Sequence, residues 1–103
     1  MHDNEKILIV DDDKDVLDST ADYLQAEGFQ VDTFETIDET IEALNTNQYA
    51  AAVIDMDFPK EPEGGVRIVD HVKACKISTL PIIYTGKGNY ANLKKIFKDI
   101  YDY

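Results

Sequence analysis

Short apolar runs alternate along this chain with stretches whose apolar residues recur every three or four positions. The first run, Ile7-Leu8-Ile9-Val10, reads as a buried strand. Leu17, Ala21 and Leu24 follow at helical spacing, which predicts a helix over Lys14 to Glu27, capped at its start by Asp13. Gly28 stands where a left-handed residue closes such a helix. Val31-Asp32-Thr33-Phe34 alternates apolar with polar, the pattern of a partly exposed strand at a sheet edge. Thr36 and Glu39 have the spacing of a capping box, and Ile37, Ile41 and Leu44 form one stripe, so a second helix begins there.

Ala50 to Ile54 is apolar throughout, as a parallel strand covered on both faces must be. Pro59, Pro62, Gly64 and Gly65 mark a loop beyond it. Ile68, Val69, Val72 and Cys75 then supply a third helical face, which assigns Cys75 to the core as a small hydrophobe. Leu80 to Thr85 reads as a fourth strand, Gly86 and Gly88 as breakers, and Leu93, Ile96, Phe97 and Ile100 as a last helical stripe. Strict alternation of strand and helix implies an α/β fold, an open parallel sheet with flanking helices, because each right-handed crossover needs a helix to return. The functional crevice of such a sheet lies beyond the carboxyl ends of its strands.

Composition narrows the functions open to this fold. A length of 103 residues and a hydrophobic fraction of 44% suit a single globular domain over residues 1–103. No apolar stretch reaches the ~20 residues of a membrane span, and Met1 to Lys6 is not a signal peptide, so a cytoplasmic location and no membrane partner are expected. One cysteine with His2 and His71 makes a poor zinc site; any metal should be hard and oxygen-ligated. The net charge is −11, made of −15 over residues 1–63 and +4 over residues 64–103, which argues against direct nucleic-acid binding. The basic last third reads either as a solvated helix face or as a partner-docking face beside an acidic site.

The chemistry gathers at the strand ends. The first run discharges into Asp11-Asp12-Asp13, the third into Asp55-Met56-Asp57, and the fourth ends in Thr85. Asp13 is accounted for as a helix cap. Asp11, Asp12, Asp55, Asp57 and Thr85 thus converge from three strands, and carboxylates so close together repel unless a cation or protons neutralise them.

Val10-Asp11-Asp12, Asp55 with Pro59 four residues on, and Thr85-Gly86 together resemble the receiver domain of two-component response regulators, from about Lys6 to the last residue. The resemblance implies a flavodoxin-like receiver fold, here lacking the last strand and helix, in which Asp55 takes a phosphoryl group from a sensor histidine kinase or phosphotransfer protein. It further implies Mg²⁺ held directly by Asp12 and Asp55, by Asp11 through water and by the backbone carbonyl of Asp57, with the Thr85 hydroxyl on the phosphoryl group. A receiver so read is a regulatory phosphoacceptor and not an enzyme. The chain departs from the family pattern in a longer loop containing Pro62, a short fourth strand, and the extra carboxyl of Asp57. It also stops at Asp102-Tyr103, just before the family's conserved-position lysine, for which Lys87 is not a match. With strands ordered 2-1-3-4-5, that end leaves the fourth strand at an edge open to self-association. Two alternatives stay open: a receiver-like interaction module that works without phosphorylation, and a phosphatase of the haloacid dehalogenase type, whose first motif Asp55-Met56-Asp57 resembles, using Asp55 as nucleophile and Asp57 as general acid.

Overall fold

The computed structural model describes residues 5–55, 58 and 60–84, apart from the side chain of Tyr84. Its elements run β1 (Lys6–Val10), α1 (Lys14–Ala26), β2 (Gln30–Phe34), α2 (Ile37–Thr46), β3 (Ala51–Asp55), α3 (Gly64–Ala74) and β4 (Leu80–Tyr84). The four strands are parallel and lie in the order β2-β1-β3-β4, which puts β2 at an edge as its alternating pattern requires. The expected helix over Leu93 to Ile100 lies outside the described residues, as do Asp57, Pro59, Thr85 and Lys87.

Period-two alternation along the two central strands divides the core in half. Ile7, Ile9, Ala51, Val53 and Ile82 face one way and pack on Leu17, Ala21 and Leu24 of α1. Leu8, Val10, Ala52 and Ile54 face the other way and pack on Ile37, Ala43 and Leu44 of α2 and Ile68 and Val72 of α3. Ile7 to Val10 and Ala51 to Ile54 are all 0% exposed, so each central strand is buried on both faces. Burying each Ile, Leu or Val side chain among them contributes roughly 1.5–3 kcal/mol, which is why these runs carry no polar interruption.

The helix ends follow local chemistry. Asp13 Oδ1 accepts the amides of Asp15 and Val16 and starts α1. Thr36 and Glu39 make the capping box at α2: the Thr36 hydroxyl accepts the Glu39 amide and donates to the Glu39 carboxylate. Helix α1 closes through Gly28 at φ 100°, with the Phe29 amide donating back to the Leu24 carbonyl and the Gly28 amide to that of Gln25. Helix α3 closes by the same motif through Lys76 at φ 54°, with Ile77 donating to Val72 and Lys76 to Lys73.

Two assignments from the sequence are corrected. Cys75 is exposed, because α3 ends at Ala74 and the chain turns at Lys76; Ile77 takes the core contact instead. Gly64 and Gly65 do not lie in a loop but form the buried first turn of α3, where Gly64 lies against Ile37. Smaller shifts move β3 by one residue, so that Asp55 is its last member, and end α1 at Ala26.

Candidate functional site

Parallel pairing brings the acids together. The register sets Val10 beside Ile54, so Asp11 and Asp55 are the next residues along two hydrogen-bonded strands. The Asp11 amide still donates to the Phe34 carbonyl of β2, which holds the backbone in line past the end of β1. Both side chains are 0% exposed, whereas Asp12 is exposed at the mouth. Asp11 Oδ1 accepts the Asp13 amide at 2.9 Å, which orients the carboxyl and leads the chain into the Asp13 cap.

One carboxylate oxygen from each of Asp11, Asp12 and Asp55 lies within 4.8 Å of the others. It is the sole cluster of three metal-ligating groups among the described residues. The donor set is oxygen alone, and two of its three carboxyls are removed from water, where their mutual repulsion is least screened. Such a site fits a hard divalent cation that keeps part of its water shell, as Mg²⁺ does. Asp57 and Thr85, the other two residues expected here, lie outside the described residues.

Beside the acids, Asp12, Glu35, Thr36, Ile37, Phe58, Lys60 and Glu61 line a groove of about 350 Å³. Its floor is apolar, since Ile37 and Phe58 are buried. Its wall is braced by Arg67, which bonds Glu61 in the β3–α3 connection and Asp38 in the first turn of α2, the latter at 3.0 Å. The two carboxylates hold the Arg67 guanidinium firmly in its charged form. A larger hollow of about 750 Å³ opens at the other end of the strands, beside Lys6, Tyr49, Lys76 and Thr79, away from the acid cluster.

On the α2 side of the sheet, the Tyr49 hydroxyl donates to Asp32 Oδ2 at 2.7 Å and Lys6 Nζ pairs with the same oxygen at 2.9 Å. Burial opposes the charged Asp32 carboxylate, but the Tyr49 hydroxyl and Lys6 ammonium outweigh it and hold the carboxyl below its ordinary range. Burial first, and then the bond to Asp32, keeps the Tyr49 phenol protonated far into alkaline pH. This network joins β1, β2 and the approach to β3.

The sequence reading passed over Lys60 and Arg67. Arg67 carries no local signal, because its partners lie 6 and 29 residues away. Lys60 does carry one: it is among only three basic residues in the acidic first 63, and it follows directly on the Asp55 strand and Pro59.

The response regulator receiver domain family matches the chain over residues 7–102. Among curated proteins, the acid tolerance regulatory proteins ActR of Rhizobium meliloti and of Sinorhizobium medicae are each 32% identical over 88 residues, which is 85% of this chain and 44% of theirs. The chain therefore spans less than half the length of the curated relatives it matches. Among solved structures, the response regulator TrrA of Thermotoga maritima, in complex with Mg²⁺-BeF, superposes with a TM-score of 0.77 at 20% identity, covering 93% of this chain and 98% of that one. A CheY-like receiver domain from Methanospirillum hungatei gives 0.74 at 23% identity, covering 95% and 94%. These likenesses show the flavodoxin-like receiver fold. A match running over nearly the whole chain, on a fold of that kind with an acid cluster at its strand ends, makes this chain a member of the response regulator receiver domain family.

Proposed function

We propose that the chain is a phosphoacceptor in two-component signalling, with Asp55 as the residue that carries the phosphoryl group. The observation that carries this reading is a carboxylate with 0% exposure at the end of a central strand, with Asp11 and Asp12 carboxylates within 4.8 Å of it. Two-component receivers work with histidine kinases or phosphotransfer proteins, and a partner of that kind is the donor here. An Asp55 oxygen attacks phosphorus, the phosphorus–nitrogen bond of the donor phosphohistidine breaks, and the freed imidazole nitrogen takes a proton from water. With acetyl phosphate as donor, acetate leaves and no proton moves. Little covalent work falls to the protein in such a transfer, so positioning and charge neutralisation are its task.

Asp12 and Asp55 would hold Mg²⁺ directly, and Asp11 through water. When bound, the ion offsets the charge that accumulates on the phosphoryl oxygens. Asp11 remains oriented by the Asp13 amide, so the cluster is set before any donor arrives. By the same reading, the backbone carbonyl of Asp57 would serve as a further metal ligand and the hydroxyl of Thr85 as a phosphoryl contact. We place the protein in the cytoplasm, where such donors act; no helix among the described residues is long and apolar enough to cross a membrane.

A haloacid dehalogenase-type phosphatase carries its nucleophile on the first core strand, whereas Asp55 ends the third strand in chain order, beside the Asp11-Asp12 strand. Incubation with acetyl phosphate and Mg²⁺ separates the readings: a trapped acyl phosphate on the chain, steady release of phosphate, or no reaction. The first result is expected, with Asp55→Asn abolishing it while the circular dichroism spectrum is unchanged; equal labelling of variant and parent would overturn the assignment. Leu80 and Ile83 on β4, 45% and 44% exposed, favour self-association through that strand. Light scattering over a concentration series tests it, a monomer throughout being the adverse result.

A further inference from the structure

The donor in any such transfer brings a phosphoryl dianion to a chain of net charge −11, and its target lies among three carboxylates. A cation placed where the donor arrives therefore matters more here than on a neutral domain. The groove beside the cluster is lined by the acids Asp12, Glu35 and Glu61, and by one cation among the described residues, Lys60. Lys60 is exposed, and it forms no ion pair among the described residues. Its neighbour Glu61 would be the natural competitor for its ammonium, but Glu61 is engaged by Arg67, which Asp38 steadies from α2. Arg67 thereby removes Glu61 as a competitor for the Lys60 ammonium. The other lysines among the described residues are committed or distant: Lys6 pairs with Asp32, Lys14 with Asp18, Lys73 lies in the last turn of α3, and Lys76 at the far end of the strands.

We propose that Lys60 binds the phosphoryl dianion of the incoming donor within the groove it shares with Asp12. The inference rests on the phosphoacceptor reading of Asp55. It assigns Lys60 to donor capture and Arg67 to positioning, since Arg67 acts only by occupying Glu61.

The test uses the full chain and acetyl phosphate at a series of concentrations with saturating Mg²⁺. In Lys60→Gln the half-saturating acetyl phosphate concentration rises about threefold, the scale of one screened charge pair, while the maximal rate holds. Lys60→Arg restores the parent value. Arg67→Gln, which frees Glu61 to pair with Lys60, shifts the same parameter in the same direction. Raising ionic strength narrows the gap between the parent and Lys60→Gln, because it screens the one attraction that the variant lacks. Tyrosine fluorescence supplies a second readout: Lys60→Gln weakens binding of Mg²⁺-beryllofluoride but not of Mg²⁺ alone. A parent that labels, with a Lys60→Gln variant of identical concentration dependence, would overturn the role of Lys60 and leave Asp55 standing. Equal loss of Mg²⁺ binding alone would also overturn it, by making Lys60 a structural residue. A folded parent that never labels would overturn the phosphoacceptor reading, and this one with it.

Discussion

Replacing Gly64 by alanine should destabilise the domain, although alanine is the better helix former. Gly64 is the first residue of α3, and a Cβ built on it would stand 2.5 Å from Ile37 Cγ1 and 2.7 Å from Ile37 Cδ1. Carbon atoms prefer about 3.5–4.0 Å, so the overlap is about 1 Å. Ile37 cannot yield easily: it is 1% exposed, lies in the core beneath α2 and α3, and follows the Thr36 cap that fixes its backbone. Overpacking of this kind costs about 1–3 kcal/mol, against which the helix preference for alanine returns at most about 1 kcal/mol. Subtracting the full return leaves a net loss of up to about 2 kcal/mol, and each kilocalorie lowers the melting midpoint of a domain this size by about 4–8 °C. Urea unfolding followed by circular dichroism measures it, with an unchanged m-value showing that only stability moved. Trimming the obstacle with Ile37→Val should make the double variant less destabilised than the sum of the singles. A Gly64→Ala protein as stable as the parent, or more so, would refute the reasoning from close approach.

Lys76→Gly should raise stability by about 1 kcal/mol, because Lys76 sits at φ 54° where an L side chain is strained; a midpoint at or below the parent's would count against it. Tyr49→Phe should cost about 1 kcal/mol at pH 7 by removing the bond to Asp32. Because the Asp32 carboxyl is held below its unfolded value, this contribution is present above that value and fades as pH falls through the folded one. The gap between parent and variant in urea titrations should therefore narrow from pH 7 to pH 3, and a constant gap would contradict the linkage. Mg²⁺ at tenfold its dissociation constant should stabilise the parent by about 1.4 kcal/mol and leave Asp12→Ala unmoved; equal melting shifts in both would remove Asp12 from the metal site.

The alternation of strand and helix, the cover on both faces of the third strand and the gathering of acids at strand ends were legible from periodicity and charge, both properties of neighbouring residues, whereas the full strand order followed from the family resemblance. Gly28 announced its left-handed turn, since glycine is the residue such a turn prefers. Lys76 makes the same turn unannounced, and the helix was accordingly read one residue too far, which is how exposed Cys75 came to be assigned to the core. Gly64 misled in the opposite sense. Glycine near proline signals a loop, but here the missing side chain serves the approach of α3 to Ile37, a contact between residues 27 positions apart. Arg67 was invisible for the same reason, its role depending on where α2 and the β3–α3 connection meet.

The pairing of β1 with β3 acts as a ruler. Asp11 and Asp55 stand on adjacent parallel strands, one residue beyond the Val10–Ile54 pair, and parallel strands lie about 4.8 Å apart whatever side chains they carry. The gap between the backbones that carry the two buried carboxylates is thus graduated in main-chain hydrogen bonds and not in side-chain packing. Helices and loops around the sheet can drift in sequence, loosening or tightening the domain, without altering that gap. Retuning the chemistry falls to the residues that rise above the ruler: Asp12 on one side, Lys60 on the other, and the connections that carry them.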